Sequence, residues 1–179
     1  MRFSILPPGC EQDLIQLFTA TFTASEGVDE GTLIGDLVRR LLTDTPANDL
    51  HVFAAEDAGG LVGGCIFSRL TYPEDVRTVF ILAPVAVASE RQGQGIGQQL
   101  LCHALGVLRE AGVAIVMTYG DPGFYAKVGF QPVSEADAAA PFRLKYPHGW
   151  QGQSLTGTDW RPLQGDSRCV SALNDPVFW

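Results

Sequence analysis

Three glycines at alternate positions, Gly93, Gly95 and Gly97, constrain this chain more than any other sequence feature. An apolar segment precedes them and an amphipathic helical pattern follows, so they connect a buried strand to a helix. A loop without side chains exposes main-chain N–H groups, and the first helical turn adds unpaired donors and the positive end of its dipole. This arrangement is typical of a site that holds a phosphate-bearing ligand against bare backbone.

Two familiar phosphate-binding loops do not match this segment. A P-loop requires a lysine directly after its last glycine, and here Gln98 follows the glycines. The dinucleotide fingerprint has the spacing G-x-G-x-x-G, whereas residues 93–97 have the spacing G-x-G-x-G. The sequence therefore predicts a phosphate site of another kind.

The apolar segment before the loop, residues 78–87, carries hydrophobic side chains on both faces, as expected for a strand in the middle of a sheet. Pro84 interrupts it, and proline cannot donate a hydrogen bond to a neighbouring strand. We expect the strand to bulge or splay there and to leave a backbone edge that a ligand can occupy. After the loop, apolar residues recur every three or four positions towards Gly112, which predicts one buried helix face and then a helix end.

A second motif occupies residues 120–130, after a predicted strand at residues 113–118. Asp121 is a suitable helix cap, and Pro122 suits the first helical position. Gly129 is a suitable helix end. The motif therefore predicts a short capped helix followed by a further strand.

These two motifs resemble those of the GNAT family of N-acetyltransferases, in particular its small bacterial stand-alone members. The first matches the family pattern Gln/Arg-x-x-Gly-x-Gly/Ala, with Gln92, Gly95 and Gly97 at the defined positions. The second matches the pattern Phe-Tyr-x-x-x-Gly-Phe at residues 124–130. The resemblance implies a GNAT fold, an α/β (α+β) domain with a mixed central sheet of about six to seven strands flanked by helices. Its fourth strand would be splayed.

The resemblance also implies the cosubstrate, acetyl-CoA, and the residues that bind it. The pyrophosphate would lie on the N–H groups of the glycine loop, and the pantetheine arm would lie beside the strand that contains Pro84. The implied cofactor-binding residues are Val85, Ala86, Val87, Gln92, Gly93, Gln94, Gly95, Ile96 and Gly97. Tyr125 would be the general acid that protonates the departing thiolate, since a phenol is protonated at neutral pH. The alternative is a core aromatic residue whose hydroxyl caps a loop.

Four further elements precede the glycine loop in the order that this family shows. They are predicted helices at residues 11–24 and 30–42 and predicted strands at residues 51–56 and 61–72.

We expect a single domain over residues 1–179. Its parts are predicted as an acceptor-side half at 1–75, an acetyl-CoA-binding core at 76–133, and carboxy-terminal strands and an arm at 134–179. Alternation predicts an edge strand at 142–146 and a further strand at 151–156. The aromatic end of the arm would pack on the domain or on a second copy, so the sequence allows a monomer or a homodimer.

The general base is less well defined by the sequence. Glu26 lies between the two opening helices, where the family places part of its acceptor site. Its carboxylate could attract an ammonium group and accept its proton through water. The alternative is a solvated capping residue. Other carboxylates of the same kind are Asp29, Glu30, Glu74 and Asp75, the last two in a turn expected at the surface.

Charge and composition argue against several other functions. The formal net charge of −8 disfavours nucleic-acid partners and favours a cationic acceptor such as an amine. The sequence has neither an apolar run long enough for a membrane span nor a signal-peptide pattern, so no membrane partner and a cytoplasmic location are expected. The scattered cysteines and histidines show no metal-ligand or redox spacing, so no metal is expected.

The expected function is transfer of an acetyl group from acetyl-CoA to a primary amine of a small molecule or peptide, by direct attack in a ternary complex. Two alternatives use the same fold: a non-catalytic acyl-CoA sensor, and a protein-interaction module in which the glycine loop is only a tight helix entry. The presence of Tyr125 favours catalysis, because a sensor needs no acid. The acceptor and the acyl-chain length leave no pattern in the sequence.

Overall fold

The computed structural model describes residues 1–157 and 160–179. Thr158 and Asp159, which fall in the predicted carboxy-terminal arm, lie outside the described residues. Residue contacts group the chain into two compact units. The first unit comprises Met1–Phe67 and Pro84–Ala104, and the second comprises Ser68–Ala83 and Leu105–Trp179.

Four α-helices occur in the described residues, and each lies where the sequence predicts a helix. They are α1 (Glu11–Glu26), α2 (Val28–Asp44), α3 (Ile96–Glu110) and α4 (Pro122–Tyr125). Single turns of 3-10 helix occur at Ala47–Asp49, Ser89–Arg91, Ala126–Val128, Pro147–Gly149, Ser171–Leu173 and Pro176–Phe178.

Eight strands occur in the described part of the chain. They are β1 (Arg2–Ile5), β2 (Leu50–Asp57), β3 (Gly60–Thr71), β4 (Val79–Val87), β5 (Ile115–Tyr119), β6 (Gln131–Pro132), β7 (Trp150–Ser154) and β8 (Arg168–Cys169). The strand order is β1-β2-β3-β4-β5-β7-β6, and β8 pairs with β3. Strands β4 and β5 run parallel, whereas the pairs β1–β2, β5–β7, β6–β7 and β3–β8 are antiparallel. This mixed sheet with flanking helices confirms the predicted fold class.

In the first unit, two neighbouring glycines of β3 face helices on opposite sides of the strand, and Gly64 is the one that a helix approaches closely. A Cβ atom at Gly63 would lie 3.7 Å from a methyl carbon of Leu100 in α3. A Cβ atom at Gly64 would lie 2.6 Å from a methyl carbon of Leu14 in α1. Because successive strand residues point to opposite faces, α3 and α1 cover opposite faces of β3.

The two opening helices, α1 and α2, pack against each other through glycines. Gly31 and Gly35, one turn apart in α2, face Thr23 and Thr19 of α1. A Cβ atom at Gly31 would lie 1.9 Å from Thr23 Oγ1 and 2.7 Å from the Thr19 carbonyl oxygen. The two helix backbones therefore approach more closely than any larger residue would allow.

The carboxy-terminal arm packs within the second unit. Trp179 is only 2% exposed, and its ring lies 6.1 Å from the Trp150 ring and 6.4 Å from the Phe142 ring, between centroids. Its indole N–H donates to the Leu173 carbonyl oxygen at 3.0 Å. This burial accounts for the aromatic end of the chain, while the choice between monomer and homodimer stays a prediction.

The prediction of an edge strand at residues 142–146 is wrong, because the backbone there is irregular. The Tyr146 N–H donates to the Tyr119 hydroxyl at 2.8 Å instead of joining a strand ladder, and Leu144 is buried. Strand β8 was not predicted, because two residues are too short to show a period. The strand predicted at 151–156 is confirmed as β7, which starts one residue earlier and ends two residues earlier than predicted.

We expect Gly31→Ala to destabilise the first unit, because the added methyl would overlap backbone atoms of α1 that cannot rotate away. Overpacking of this kind costs about 1–3 kcal/mol. Gly106→Ala is the matched control, since a Cβ atom at this position in α3 meets nothing within 4 Å. It should stabilise the helix by about 0.5–1 kcal/mol. Thermal unfolding would measure both changes, and equal melting temperatures for the two variants would contradict the close packing of α1 and α2.

Candidate functional site

The carboxyl half of β4 differs from its amino half in pairing and in burial. The parallel ladder with β5 runs from the pair Val79–Ile115 to the pair Leu82–Thr118, and Pro84 follows two residues later. Residues 79–82 are buried on both faces, whereas Ala83, Val85 and Val87 are half-buried and alternate with buried residues. The ladder therefore ends next to the proline, as the sequence predicts. The same half carries three of the predicted cofactor-binding residues, Val85, Ala86 and Val87.

The loop after β4 adopts a backbone conformation that requires glycine. A turn of 3-10 helix at Ser89–Arg91 leads into it, and Gly93 and Gly95 have φ angles of +72° and +75°. Residues with a side chain are strained in this left-handed region. The loop residues 92–94 are exposed, and α3 begins at Ile96.

Side chains of the loop itself bond back to the strand and the turn that precede it. The Gln92 side-chain amide donates to the Val87 carbonyl oxygen at 2.9 Å, and that of Gln94 lies 3.4 Å from the Glu90 carbonyl oxygen. Arg91 forms an ion pair with Asp57 at the end of β2. The Gly59 N–H and the Arg91 guanidinium lower the pKa of Asp57. The positive charge of Arg91 is thus already partnered inside the first unit.

This arrangement can bind an anion through main-chain groups. By helix geometry the N–H groups in the first turn of α3 have no carbonyl partner within the helix, and they carry the positive end of its dipole. Gly97 lies in that first turn and places no side chain over it. A phosphate placed at the loop would therefore meet backbone donors rather than side-chain charges.

A groove of about 480 Å³ adjoins the segment that leads into the loop. It lies within the first unit and is lined by Leu17 and Thr21 of α1, by Gly60, and by Ser89 and Glu90. A larger cavity of about 770 Å³ lies within the second unit, and none of the predicted site residues lines it. None of the predicted site residues lines the groove either, but Ser89 and Glu90 place it next to the turn that leads into the glycine loop.

The predicted base, Glu26, is the last residue of α1 and is exposed. Gly27, with φ of +103°, turns the chain directly into α2. Asp29 and Glu30 lie in the first turn of α2, where carboxylates stabilise a helix dipole. Glu26 lies at a helix carboxyl end, where the dipole disfavours a carboxylate. Helix stability therefore accounts for Asp29 and Glu30 but not for Glu26.

Tyr125 lies in α4 in the second unit, and its ring is held by neighbouring aromatic rings. The ring centroid lies 5.1 Å from that of Phe124 and 5.7 Å from that of Phe130. The predicted cap is confirmed, because the Asp121 carboxylate accepts the Gly123 N–H at 2.9 Å. Gly129 ends the following turn with φ of +98°, also as predicted.

Asp75 is not the surface residue that the sequence predicts, whereas Glu74 is exposed as expected. The Asp75 side chain is only 5% exposed. Its carboxylate accepts hydrogen bonds from the Arg77 backbone and guanidinium, at 2.6–3.0 Å, and from the Gln164 N–H at 3.1 Å. The hydrogen-bonded guanidinium lowers the pKa of Asp75 to about 2. Asp75 therefore joins two segments of the second unit and has no capacity left to serve as a base.

The histidines and cysteines form no cluster among the described residues. Within residues 1–157 and 160–179, no group of three or more His, Cys, Asp or Glu side chains could hold a metal ion. The four cysteines are free thiols. His103 is half-buried, with its ring 6.5 Å from that of Phe3 and 6.1 Å from that of Phe53. In the same part of the chain, none of the helices is both long and apolar enough to cross a membrane.

Comparison with known proteins identifies relatives of this chain. A family model for the acetyltransferase (GNAT) domain matches residues 48–132. The Escherichia coli K12 protein named "uncharacterized N-acetyltransferase YjhQ" is 34% identical over 140 residues, which span 75% of this chain and 77% of that protein.

Solved structures show the same fold. The structure of the GNAT family N-acetyltransferase YhbS from Escherichia coli in complex with CoA matches with a TM-score of 0.83 at 24% identity, covering 97% of this chain and 92% of that one. A GNAT family acetyltransferase from Brucella melitensis in complex with acetyl-CoA matches with a TM-score of 0.74 at 26% identity, covering 96% and 97% of the two chains.

We expect the stability contribution of Asp75 to depend on pH. Because the pKa of Asp75 is about 2 in the folded protein and 3.8 in an unfolded chain, its contribution is complete above about pH 4 and is lost as the pH falls towards 2. Asp75→Asn should therefore lower the melting temperature at neutral pH, by the equivalent of about 1–3 kcal/mol. The difference from wild type should shrink as the pH falls below 4.

Asp166→Asn is the control, since Asp166 is exposed. It should change the melting temperature little at any pH. Thermal unfolding of the three proteins between neutral pH and about pH 3 would check this. A difference between Asp75→Asn and wild type that stays constant over this range would contradict the assignment.

Proposed function

Because this chain belongs to the GNAT family of acetyltransferases, we propose that it transfers an acetyl group from acetyl-CoA to a primary amine of a small molecule or peptide. The observation that carries the proposal is the glycine loop at the start of α3, with its left-handed Gly93 and Gly95 and its unpaired main-chain donors. The acetyl-CoA and CoA bound by the Brucella and Escherichia coli structures support the same cosubstrate for this chain.

The proposed cosubstrate site uses backbone groups of the first unit. The pyrophosphate of acetyl-CoA accepts hydrogen bonds from the N–H groups of residues 93–97, and the pantetheine arm pairs with the edge of β4 beyond Pro84. The contributing residues are Val85, Ala86, Val87, Gln92, Gly93, Gln94, Gly95, Ile96 and Gly97. A net charge of −8 makes local dipoles, rather than the overall field, the source of anion affinity.

The proposed reaction is a direct transfer. The lone pair of a neutral amine attacks the thioester carbonyl carbon, a C–N bond forms, and the C–S bond breaks. Backbone N–H groups of residues 85–87 stabilise the charge that develops on the carbonyl oxygen. The departing thiolate takes a proton from the Tyr125 hydroxyl, and the amine gives up its proton through water to Glu26.

The activity test measures thiol release from acetyl-CoA with a panel of amines that includes polyamines, aminoglycosides and peptides with free amino termini. We expect thiol release that depends on both acetyl-CoA and one class of amine. Tyr125→Phe should lower its maximal rate about 100-fold or more with little change in acetyl-CoA affinity, because a general acid contributes about 10²- to 10⁴-fold. Binding of acetyl-CoA without release for any amine would favour the sensor. Absence of binding would favour the interaction module, and a Tyr125→Phe rate equal to wild type would place the acid elsewhere.

We expect Gly95→Gln to lower the affinity for CoA at least about tenfold, because a side chain at this position strains the loop and covers its donors. Gly112→Gln is the matched control, since Gly112 has a similar φ of +82° and lies after α3 rather than before it. Both variants should lose similar stability, about 1–2 kcal/mol from the left-handed backbone. Calorimetric titration with CoA would separate them, and equal CoA affinities would contradict the loop assignment.

We expect Glu26→Gln to lower kcat/KM for the amine at least about tenfold while leaving acetyl-CoA affinity unchanged, because only the amine requires the carboxylate. Asp29→Asn, three residues away and also exposed, is the control and should leave both constants near wild type. Steady-state kinetics with the best amine would measure the difference. If the two variants behave alike, Glu26 is a solvated helix-end residue and the base lies elsewhere.

A further inference from the structure

Gln151 is a buried amide that the proposed reaction does not use. It lies in β7, opposite Thr118 of β5 and Pro132 of β6, and it is only 1% exposed. Its side-chain nitrogen donates to the carbonyl oxygens of Gly149, at 3.2 Å, and Gly120, at 3.3 Å. Both N–H groups of the amide are therefore used on the main chain.

These two carbonyl groups belong to segments that meet at the start of α4. The Gly120 N–H also donates to the Gly149 carbonyl oxygen, at 3.0 Å. Gly120 directly precedes Asp121, whose side chain caps α4 and whose carbonyl oxygen accepts the Tyr125 N–H at 3.2 Å. Gln151 thus fixes the orientation of the peptide group from which the helix of Tyr125 begins.

Gly120 also forms part of the surface on which the Tyr125 ring lies. A Cβ atom at Gly120 would lie 2.8 Å from Cε2 of that ring. The Tyr125 ring therefore lies against the Gly120 backbone, whose carbonyl group is held by the Gln151 amide. Phe124 and Phe130 hold the ring at other sides, and neither bonds to the Gly120 peptide group.

Stability alone does not account for an amide at this position. The Gln151 side-chain oxygen is buried and has no hydrogen-bond partner among the described residues. A buried polar atom without a partner costs free energy, and apolar residues are the usual occupants of buried strand positions. The two hydrogen bonds to the glycine carbonyls are what the amide provides and an apolar side chain cannot.

We propose that Gln151 is a positioning residue for Tyr125: its amide locks the Gly120–Gly149 contact that supports the Tyr125 ring and the start of α4. This inference rests on the proposed role of Tyr125 as proton donor. It predicts that Gln151 affects the reaction rate only through the position of Tyr125.

The first test is structural and does not depend on acetyl transfer. Protein labelled with 3-fluorotyrosine gives one fluorine resonance for each of its four tyrosines, assigned by single Tyr→Phe variants. In Gln151→Met, which keeps the size of the side chain but has no donor, the Tyr125 resonance should shift or broaden. The Tyr72 resonance should stay in place. An unchanged Tyr125 resonance in a folded variant would overturn the proposal.

The second test is a double-mutant cycle in turnover. Gln151→Met should lower kcat about five- to tenfold with KM for acetyl-CoA unchanged, since small misplacements of a reacting group cost this much or more. In the Tyr125→Phe background the same substitution should lower kcat no further, whereas a general structural role would give the same loss in both backgrounds. Equal losses would overturn the proposal.

Two further variants complete the design. Tyr72→Phe removes another hydrogen bond to a main-chain carbonyl of the second unit, from the Tyr72 hydroxyl to Ala139 at 2.8 Å, and should leave kcat near wild type.

If Gln151→Met does not fold, Gln151→Glu replaces it. In its protonated form, the Glu carboxyl group can donate one hydrogen bond to one of the two carbonyl groups, so this variant should retain part of the turnover. Turnover of Gln151→Glu equal to wild type at high pH would overturn the proposal. If no amine is acetylated at all, the proposed function fails while the fluorine spectra still decide whether Gln151 holds Tyr125.

Discussion

The point at which β4 stops pairing with β5 is where we propose that a ligand meets this protein. Up to Leu82 the strand is buried on both faces and its backbone is committed to a parallel ladder. Pro84 cannot continue that ladder, because it has no N–H group. The strand nevertheless continues to Val87, with half-buried positions alternating along it. A strand that is regular but no longer paired with β5 leads, through a turn of 3-10 helix, into a loop whose glycines have left-handed backbone. The main-chain N–H groups of that loop and of the first turn of α3 are the donors that a ligand can meet there.

The loop keeps its shape through interactions that leave those donors free. Gln92 and Gln94 direct their side-chain amides back to carbonyl groups at the end of β4 and in the turn before the loop. Arg91 pairs with Asp57 on β2. We therefore propose that an anion is recognised there by backbone geometry, with the charge of the nearby Arg91 already paired. In the second unit, aromatic packing holds the Tyr125 ring and the Asp121 cap holds the helix that carries it.

The sequence predicts the elements and the glycine loop well, because both depend on local patterns. Periodicity locates α1 and α2, a continuous apolar run locates β4, and glycine spacing locates the loop to the residue. Long-range polar pairs could not be predicted in this way, because they leave no local pattern. Asp75 and Gln164 are far apart in the chain, and nothing in either segment indicates that one bonds the other. Gln151 is similar, since a glutamine at the start of a strand gives no sign that it is buried against two glycine carbonyls. The segment 142–146 alternates like a strand but is held by single contacts, so a periodic pattern was misleading there.

The central claim is that the amides of the glycine loop bind the pyrophosphate of CoA. The most direct measurement is a series of proton–nitrogen correlation spectra of the labelled protein, titrated with CoA and separately with pantetheine, which lacks the pyrophosphate. We predict that CoA produces the largest amide shifts at Gly93, Gln94, Gly95, Ile96 and Gly97, and that pantetheine leaves these resonances nearly unmoved. If CoA saturates the protein and the amide resonances of residues 93–97 do not shift, the account is contradicted, even if CoA binds elsewhere on the protein.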